Sequence, residues 1–255
     1  MYSWQACIVA FLIVQHFRWV VFSIFVHRGL GHHCFTFSPA LAHFFRFYLW
    51  AFSKYAWPNW MQYYAAQHRK HHKYSDLPED PHSPYQLSLK RLLFDFSKVG
   101  PDITYHLTPE EINLYAPDIV STDDWLERNL YCKYRGLGVL IYWILQTILF
   151  GWVGFIVGAI TYFFIDQISI FLTNWVMHKV GFEYATDTST GDRSKIVFPL
   201  GLIMAGEALH AHHHNDTGKP YFNRHWWEID VGWIYCRVFM FFGLMRLAGK
   251  DRSDV

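Results

Sequence analysis

The chain has 255 residues, enough for one domain of ordinary size, and 52% of them are apolar and 20% aromatic. A net charge of +1 gives no basis for a nucleic-acid or polyanion partner. The four cysteines form no CxxC pair, so we expect free thiols facing a reducing compartment or lipid. The first apolar run has no signal-peptide pattern around it.

Residues 4–26 form the first apolar segment, about long enough to span a bilayer. His16 and Arg18 interrupt it, and we expect them to pair inside the protein. His27 and His32 follow directly. Five residues turn a helix by about 140°, so a straight α-helix would not aim both rings at one point. Gly29 and Gly31 lie between them and lower the cost of distorting the backbone.

Residues 39–57 are apolar and aromatic but contain His43, Arg46 and Lys54. If the histidines on both sides of this stretch serve one site, the chain between them crosses the membrane an even number of times. About 35 residues separate His32 from His68, too few for two spans of about 20 residues and a turn. The stretch is therefore predicted to lie in the membrane interface.

Residues 73–135 are polar and rich in proline. Thr108, followed by Pro109, Glu110 and Glu111, is typical of a helix start. We assign no chemistry to this region, and we expect its acidic residues to form a solvated face.

Residues 136–178 contain no Lys or Arg, which predicts two spans, 137–152 and 154–177, with Gly151 and Gly154 at the turn. Lys133, Arg135 and Lys179 flank this hairpin on one side only, which favours the cytoplasm for that side. Asp166, within the second span, lies about 18 Å of helix rise from His178, too far for a metal ligand, and we expect it to pair internally or to form a polar spot near an internal tunnel.

The pattern HxxHH occurs twice, and residues three and four apart share one face of a helix, so each motif is predicted to point its three imidazoles the same way. Nine clustered histidines are too many for one metal ion and suit two, and imidazole binds Fe, Zn, Cu or Ni. We expect His212 to face solvent. Glu207, three residues before His210 on the same helical face, is expected to orient a ligand imidazole. The predicted metal ligands are His27, His32, His68, His71, His72, His178, His210, His213 and His214.

Four motifs follow one another along residues 26–247. HRxxxHH begins at His27, HRxHH at His68 precedes Asp80-Pro81-His82, NxxxH runs from Asn174 to His178, and GExxHxxHH begins at Gly206. In order and spacing the chain resembles the membrane fatty acyl desaturases of the stearoyl-CoA desaturase type.

The resemblance implies an all-α integral membrane protein in which the nine histidines bind two iron ions and Asn174 reaches the metal through water. It implies one desaturase domain over residues 1–255, with a cytoplasmic helical cap formed by residues 27–135 and 178–255. Family members usually have four spans, whereas three are apparent here, so we expect either a compact version or a sequence that lacks a first helix.

The implied reaction inserts a cis double bond into a saturated long-chain acyl group, by default at the ninth carbon, using O₂ and two electrons. The chain has no haem or flavin signature, so the electrons would come from cytochrome b5, ferredoxin or rubredoxin. The acyl carrier stays open between CoA, lipid and acyl-carrier protein, because residues 63–67 are less polar than in many acyl-CoA members.

Other readings of the histidines remain. A membrane di-iron hydroxylase of fatty acyl, alkane or sterol substrates would use the same centre. A metal transporter would place its ligands in the middle of the membrane on discontinuous helices, whereas these motifs lie at helix ends. A zinc hydrolase is the third alternative.

Overall fold

The computed structural model describes residues 3–54, 56–94, 107–182 and 191–249, which are mainly helical. Three of the segments are π-helical, and one pair of three-residue strands, absent from the sequence prediction, is antiparallel. The elements are α1 (Trp4–Val21), π1 (Phe22–Gly31), β1 (Phe35–Phe37), α2 (Pro39–Phe52), α3 (Trp60–Tyr74), α4 (Leu89–Phe94), α5 (Pro109–Tyr115), π2 (Glu127–Tyr131), α6 (Leu137–Ile170), π3 (Phe171–Val176), α7 (Met177–Lys179), α8 (Leu200–Ile203), α9 (His210–Asn215), α10 (Val231–Phe241) and β2 (Met245–Leu247).

Two segments of the described chain are long and apolar enough to cross a membrane. The first joins α1 and π1 over Trp4–Gly31, and the second covers Leu137–Lys179. The predicted internal pairing in the first is confirmed, because the Arg18 guanidinium lies 3.7 Å from the Asp166 carboxylate. His16 likewise faces the protein, with its Nδ1 3.1 Å from the Ile203 carbonyl oxygen.

The second segment is a hairpin. Gly151 has φ 65° and ψ −140°, which breaks α6 where the sequence predicts a turn. The two arms pack closely, since the Trp143 ring centroid lies 5.6 Å from that of Tyr162. A Cβ at Gly158 would come within 2.3 Å of the Trp143 ring. The first arm, residues 137–150, rises only about 21 Å, short of the roughly 30 Å hydrocarbon core of a bilayer.

The histidine-bearing elements pack at one end of these long helices. α3 lies against π1 and α5, and α2 lies against α1 and α6. Thr108 caps α5 and forms a capping box with Glu111, as the sequence predicts. The β1–β2 ladder pairs Phe35 with Leu247, which ties the chain after α10 to the chain after π1.

The expectation that the acidic residues of 73–135 form a solvated face is wrong for several of them. Asp76, Asp80 and Glu127 are buried. Glu127 accepts hydrogen bonds from the Arg46 guanidinium at 2.9 Å and from the Trp60 indole at 3.0 Å. Hydrophobic patterning did not reveal these carboxylates because each is buried opposite a donor from another element.

Replacing Glu127 with Gln should therefore destabilise the protein by about 3 kcal/mol, because a buried guanidinium loses its buried partner. The free energy of unfolding in mixed micelles measures this loss. Asp123→Asn is the matched control, since Asp123 pairs with Arg128 at an exposed position and should change stability by less than about 1 kcal/mol. Equal effects of the two substitutions on stability would contradict the importance of the buried contact between Glu127 and Arg46.

Candidate metal centre

The structure gathers the nine predicted histidines into two adjacent groups. In each group, one ring nitrogen per residue lies within 4.8 Å of the others, close enough to hold a metal ion. Most of these side chains are buried. The five-histidine group is His27, His32, His68, His72 and His213, and the four-histidine group is His71, His178, His210 and His214.

A π-helical turn solves the spacing problem between His27 and His32. The His32 amide donates to the His27 carbonyl, an i to i+5 bond of 3.1 Å. The π-helix has about 4.4 residues per turn, so residues five apart lie on nearly the same side. The two ring centroids are 5.1 Å apart. Gly31 gives the His68 ring room, because a Cβ there would lie 2.8 Å from the ring carbon Cδ2 of His68.

Each HxxHH motif supplies both groups. The prediction that the three rings of a motif point the same way is too coarse. His68 and His72 face the five-histidine group, whereas His71 faces the four-histidine group. In the second motif His213 joins the five and His210 and His214 join the four. Adjacent residues on a helix differ by about 100°, which separates the neighbouring rings of the HH pair.

Carboxylates, all but that of Asp192 buried, hold the outer nitrogens of four of these rings. The His27 Nδ1 lies 2.6 Å from Glu207, and the His71 Nδ1 lies 2.8 Å from Asp80. The His178 Nδ1 lies 3.0 Å from Asp76, and the His214 Nδ1 lies 3.1 Å from Asp192. A carboxylate accepts the Nδ1 proton and leaves the Nε2 lone pair directed inward, as at protein metal sites.

The inner nitrogens converge at distances that suit coordination. Five Nε2···Nε2 separations, such as His32 to His68 and His213 to His72, fall between 2.7 and 3.1 Å. Ligands at right angles around an ion with bonds of about 2.1 Å lie about 3.0 Å apart, against about 3.4 Å for a tetrahedral site. The Nε2 atoms of His71 and His214 are buried without a hydrogen-bond partner among the described residues. The donor set therefore fits two metal ions with more than four ligands at one of them.

The environment keeps most of the rings neutral. Burial, reinforced by neighbouring histidines, holds the pKa of His68, His72 and His213 well below the ordinary value. Burial also lowers the pKa of His214, to about 4, although Asp192 opposes it. For His71 the effect of burial is outweighed by Asp80, and its pKa is raised. Neutral imidazole is the form that binds metal.

His212 contradicts its prediction of a solvent-facing side chain. It is buried, and its Nε2 lies 2.8 Å from the Glu228 carboxylate. The segment between α9 and α10 folds over the outer face of α9, and Glu228 also accepts from the Arg224 and His225 amides. His212 thereby anchors the segment that carries Phe222, whose ring contacts His213.

Glu207 and Asn174, the two residues predicted to assist the metal ligands, have different surroundings. Glu207 contacts an imidazole as expected, but it precedes α9 and holds His27 from another element, so the predicted helical face shared with His210 is wrong. Asn174 lies in π3, and its Oδ1 accepts a hydrogen bond from Thr173. Sequence reasoning missed Asp76 and Asp192, although the quoted DPH motif contained Asp80.

A cavity adjoins both histidine groups. Its inner wall includes His27, His68, His71, His178 and His210, together with Asn174. The aromatic side chains of Trp19, Phe22 and Tyr64 also line it, as do Lys54 and Arg135. A molecule in this cavity would therefore lie against rings of both histidine groups.

Comparison with known proteins agrees with this geometry. The family model for fatty acid desaturases matches residues 2–230. The chain belongs to the fatty acid desaturase family. Members of this family are oxidoreductases, and the two apolar segments and the histidine groups of this chain fit a membrane protein that binds iron.

The names of the chain's relatives differ in acyl carrier and in the position of the double bond. It is 31% identical to a hex-5-enoyl-[acyl-carrier protein] acetylenase of Moorena producens (strain JHB), over 72% of this chain and 58% of that protein. It is 27% identical to an acyl-CoA 5-desaturase of Anemone leveillei, over 86% and 64%. It is 25% identical to an sn-1 stearoyl-lipid 9-desaturase of Synechocystis sp. (strain ATCC 27184 / PCC 6803 / Kazusa), over 96% and 72%. The chain thus spans less than two thirds of the length of the first two relatives.

Asp80→Asn should weaken metal binding about 10- to 100-fold, because His71 loses the carboxylate that orients its ring. Competition with a chromophoric chelator measures the affinity. Asp118→Asn serves as the control, since Asp118 contacts the exposed ring of His33, which is in neither group. An unchanged affinity in Asp80→Asn would contradict the orienting role.

Proposed function

We propose that this protein is an O₂-dependent fatty acyl desaturase that inserts a cis double bond into a saturated long-chain acyl group. The observation that carries the proposal is the pair of imidazole groups with converging Nε2 atoms beside a mainly apolar cavity. Family membership supports an acyl substrate and the use of O₂.

We further propose that both metal ions are iron and that the nine histidines are their ligands. The five-histidine group would hold one ion and the four-histidine group the other, with Asn174 beside the second through a water molecule. Iron, when bound, supplies the activation of O₂ that removal of hydrogen from an unactivated carbon requires. A four-coordinate zinc hydrolase would have no use for five converging nitrogens.

The protein's own residues would fix the imidazole ligands and position the acyl chain beside them. Glu207, Asp76, Asp80 and Asp192 fix the imidazole rings from outside and keep the inward nitrogens unprotonated. Aromatic walls hold the acyl chain beside the metals and exclude bulk water. Holding one C–C bond at a fixed distance from the metals is what selects the position of the double bond.

The proposed placement in the membrane has three spans, 4–26, 137–152 and 154–177, with the cap on the cytoplasmic side. Exposed apolar side chains on both arms of the hairpin, including Ile148, Phe155 and Phe163, support contact with lipid. Lys133, Arg135 and Lys179 at the base of the hairpin support the cytoplasmic orientation. The short first arm would need local thinning of the bilayer.

The ninth carbon is the default position, and the named activities of the relatives at positions 5 and 9 mark the range to test. The electron donor is proposed to be a separate protein of the cytochrome b5, ferredoxin or rubredoxin class. The acyl carrier is CoA, acyl-carrier protein or lipid, the three classes that the relatives' names contain.

The deciding experiment is a fatty-acid methyl ester profile, by gas chromatography and mass spectrometry, of a bacterial host that expresses the protein and a donor. New monoenes, located by derivatisation, would support desaturation and give chain length and position. Hydroxylated products would instead assign the same centre to a hydroxylase.

His71→Ala and His213→Ala should each abolish product formation while the protein still inserts into membranes, because each removes a ligand from a different group. Iron per chain should fall from about two toward one in either variant. His33→Ala is the matched control, being exposed, next to His32 and outside both groups. Substantial turnover by either ligand variant would contradict the assignment.

A further inference from the structure

The segment between α9 and α10 is fixed to the rest of the molecule at one buried side chain. The structure describes all of residues 215–229, and Phe222 is the only buried residue among them. Its ring centroid lies 4.5 Å from that of His213 and 5.4 Å from that of His27. Both histidines belong to the five-histidine group, and their Nε2 atoms are 2.9 Å apart. Phe222 therefore packs directly against two of the proposed metal ligands.

A buried ion pair holds both the backbone and the ring of Phe222. The Asp230 carboxylate accepts hydrogen bonds from the Arg28 guanidinium, at 2.8 Å to each oxygen, and from the Phe222 amide at 2.7 Å. The guanidinium carbon of Arg28 lies 3.9 Å from the centroid of the Phe222 ring, within the range of a cation–π contact. Arg28 and Asp230 are themselves buried, and desolvation strengthens contacts of this kind. The ring is thus held against the ligands from two directions of the chain.

Two glycines allow the ion pair to lie this close to the backbone. A Cβ at Gly232 would come within 2.1 Å of an Arg28 guanidinium nitrogen, and a Cβ at Gly206 within 2.2 Å of an Asp230 oxygen. Gly206 begins the last histidine motif, and Arg28 directly follows His27 in the first. The ion pair therefore links the two motifs that supply the ligands under the Phe222 ring.

Phe222 covers these ligands on a side that does not belong to the cavity. The described lining of the cavity includes His27 and His68, but neither Phe222 nor His213. Tyr221, next to Phe222 in the chain, is exposed. Phe222 is thus a buried apolar ring that lies between the five-histidine group and a segment that reaches solvent.

We propose that Phe222, held in place by Arg28 and Asp230, closes the solvent side of the five-histidine group, so that dissolved molecules reach its metal ion only through the cavity. The inference rests on the proposed function, because it assumes a metal ion in this group and an acyl chain in the cavity. Phe222 and Arg28 are positioning residues in this arrangement. Closing one side keeps bulk water away from the reacting carbon and leaves the cavity as the single route of access.

The first test compares the release of Co²⁺ from the two groups of the full chain to EDTA, followed by visible absorption. His71→Ala should retain the ion of the five-histidine group, and His213→Ala that of the four-histidine group. Adding Phe222→Ala should speed release about tenfold in the His71→Ala protein and less than about twofold in the His213→Ala protein. In the otherwise native chain, Phe222→Ala should speed the release of one of the two ions only.

Two further variants separate closure of the site from a general loss of packing. Trp226→Ala is the matched control, because Trp226 is an exposed aromatic residue of the same segment, and both release rates should stay unchanged. Arg28→Lys keeps a positive charge beside Asp230 but loses the planar group over the ring, and it should speed release from the five-histidine group about threefold. Equal acceleration of both ions by Phe222→Ala, or of neither, would overturn the closure. An unchanged rate in Arg28→Lys would overturn the role of Arg28.

Azide entry distinguishes failure of this inference from failure of the proposed function. Azide binding to the remaining Co²⁺ of the His71→Ala protein is followed by absorption, with and without stearic acid in the cavity. Stearic acid should slow azide binding about tenfold, and it should have no effect once Phe222→Ala opens the solvent side. Equal slowing in both proteins would overturn the closure. No slowing in either protein, together with selective ion release in Phe222→Ala, would support the closure and contradict an acyl chain in the cavity.

Discussion

The rest of the structure depends on keeping many imidazole lone pairs pointed at one another. Within each group the inner nitrogens lie about as close as hydrogen-bonded atoms, and Nε2 cannot carry a proton where Nδ1 gives its proton to a carboxylate. Without cations between them, such lone pairs would repel in a medium of low dielectric. The carboxylates outside the rings and the close packing of the histidine-bearing elements hold this unfavourable arrangement in place for metal ions to bind.

The long helices make that arrangement possible by changing from α-helical to π-helical turns near the ligands. π1 contains His27 and ends one residue before His32, and π3 leads directly into α7, which carries His178. A wider turn rotates the following side chains relative to a regular α-helix and so aims them at groups built by α3 and α9. Such turns are less stable than α-helix and persist only where tertiary contacts fix them. Here the contacts include the Arg28–Asp230 pair, in which one guanidinium nitrogen lies 2.8 Å from both carboxylate oxygens.

The sequence alone predicted the features that appear as long apolar runs or as repeated motifs. The two apolar segments, the turn at Gly151 and the clustering of nine histidines follow from length, composition and spacing. The division of the histidines into a group of five and a group of four could not be predicted. It depends on the direction in which each ring points from a helical face that several of them share. The role of Asp192 and the burial of His212 were also missed, since both depend on loops that fold back from distant parts of the chain.

Each of the two apolar segments carries a charged residue that faces the other segment. Arg18 and Asp166 would be costly in a membrane-facing position, and each is tolerated because it meets the other at the cavity wall. A structural ion pair could lie anywhere between two helices, yet this one lies on the cavity, beside Lys54 and Arg135. The Asp166 carboxylate is thus the counter-charge through which two apolar segments can carry ionisable side chains at the cavity wall.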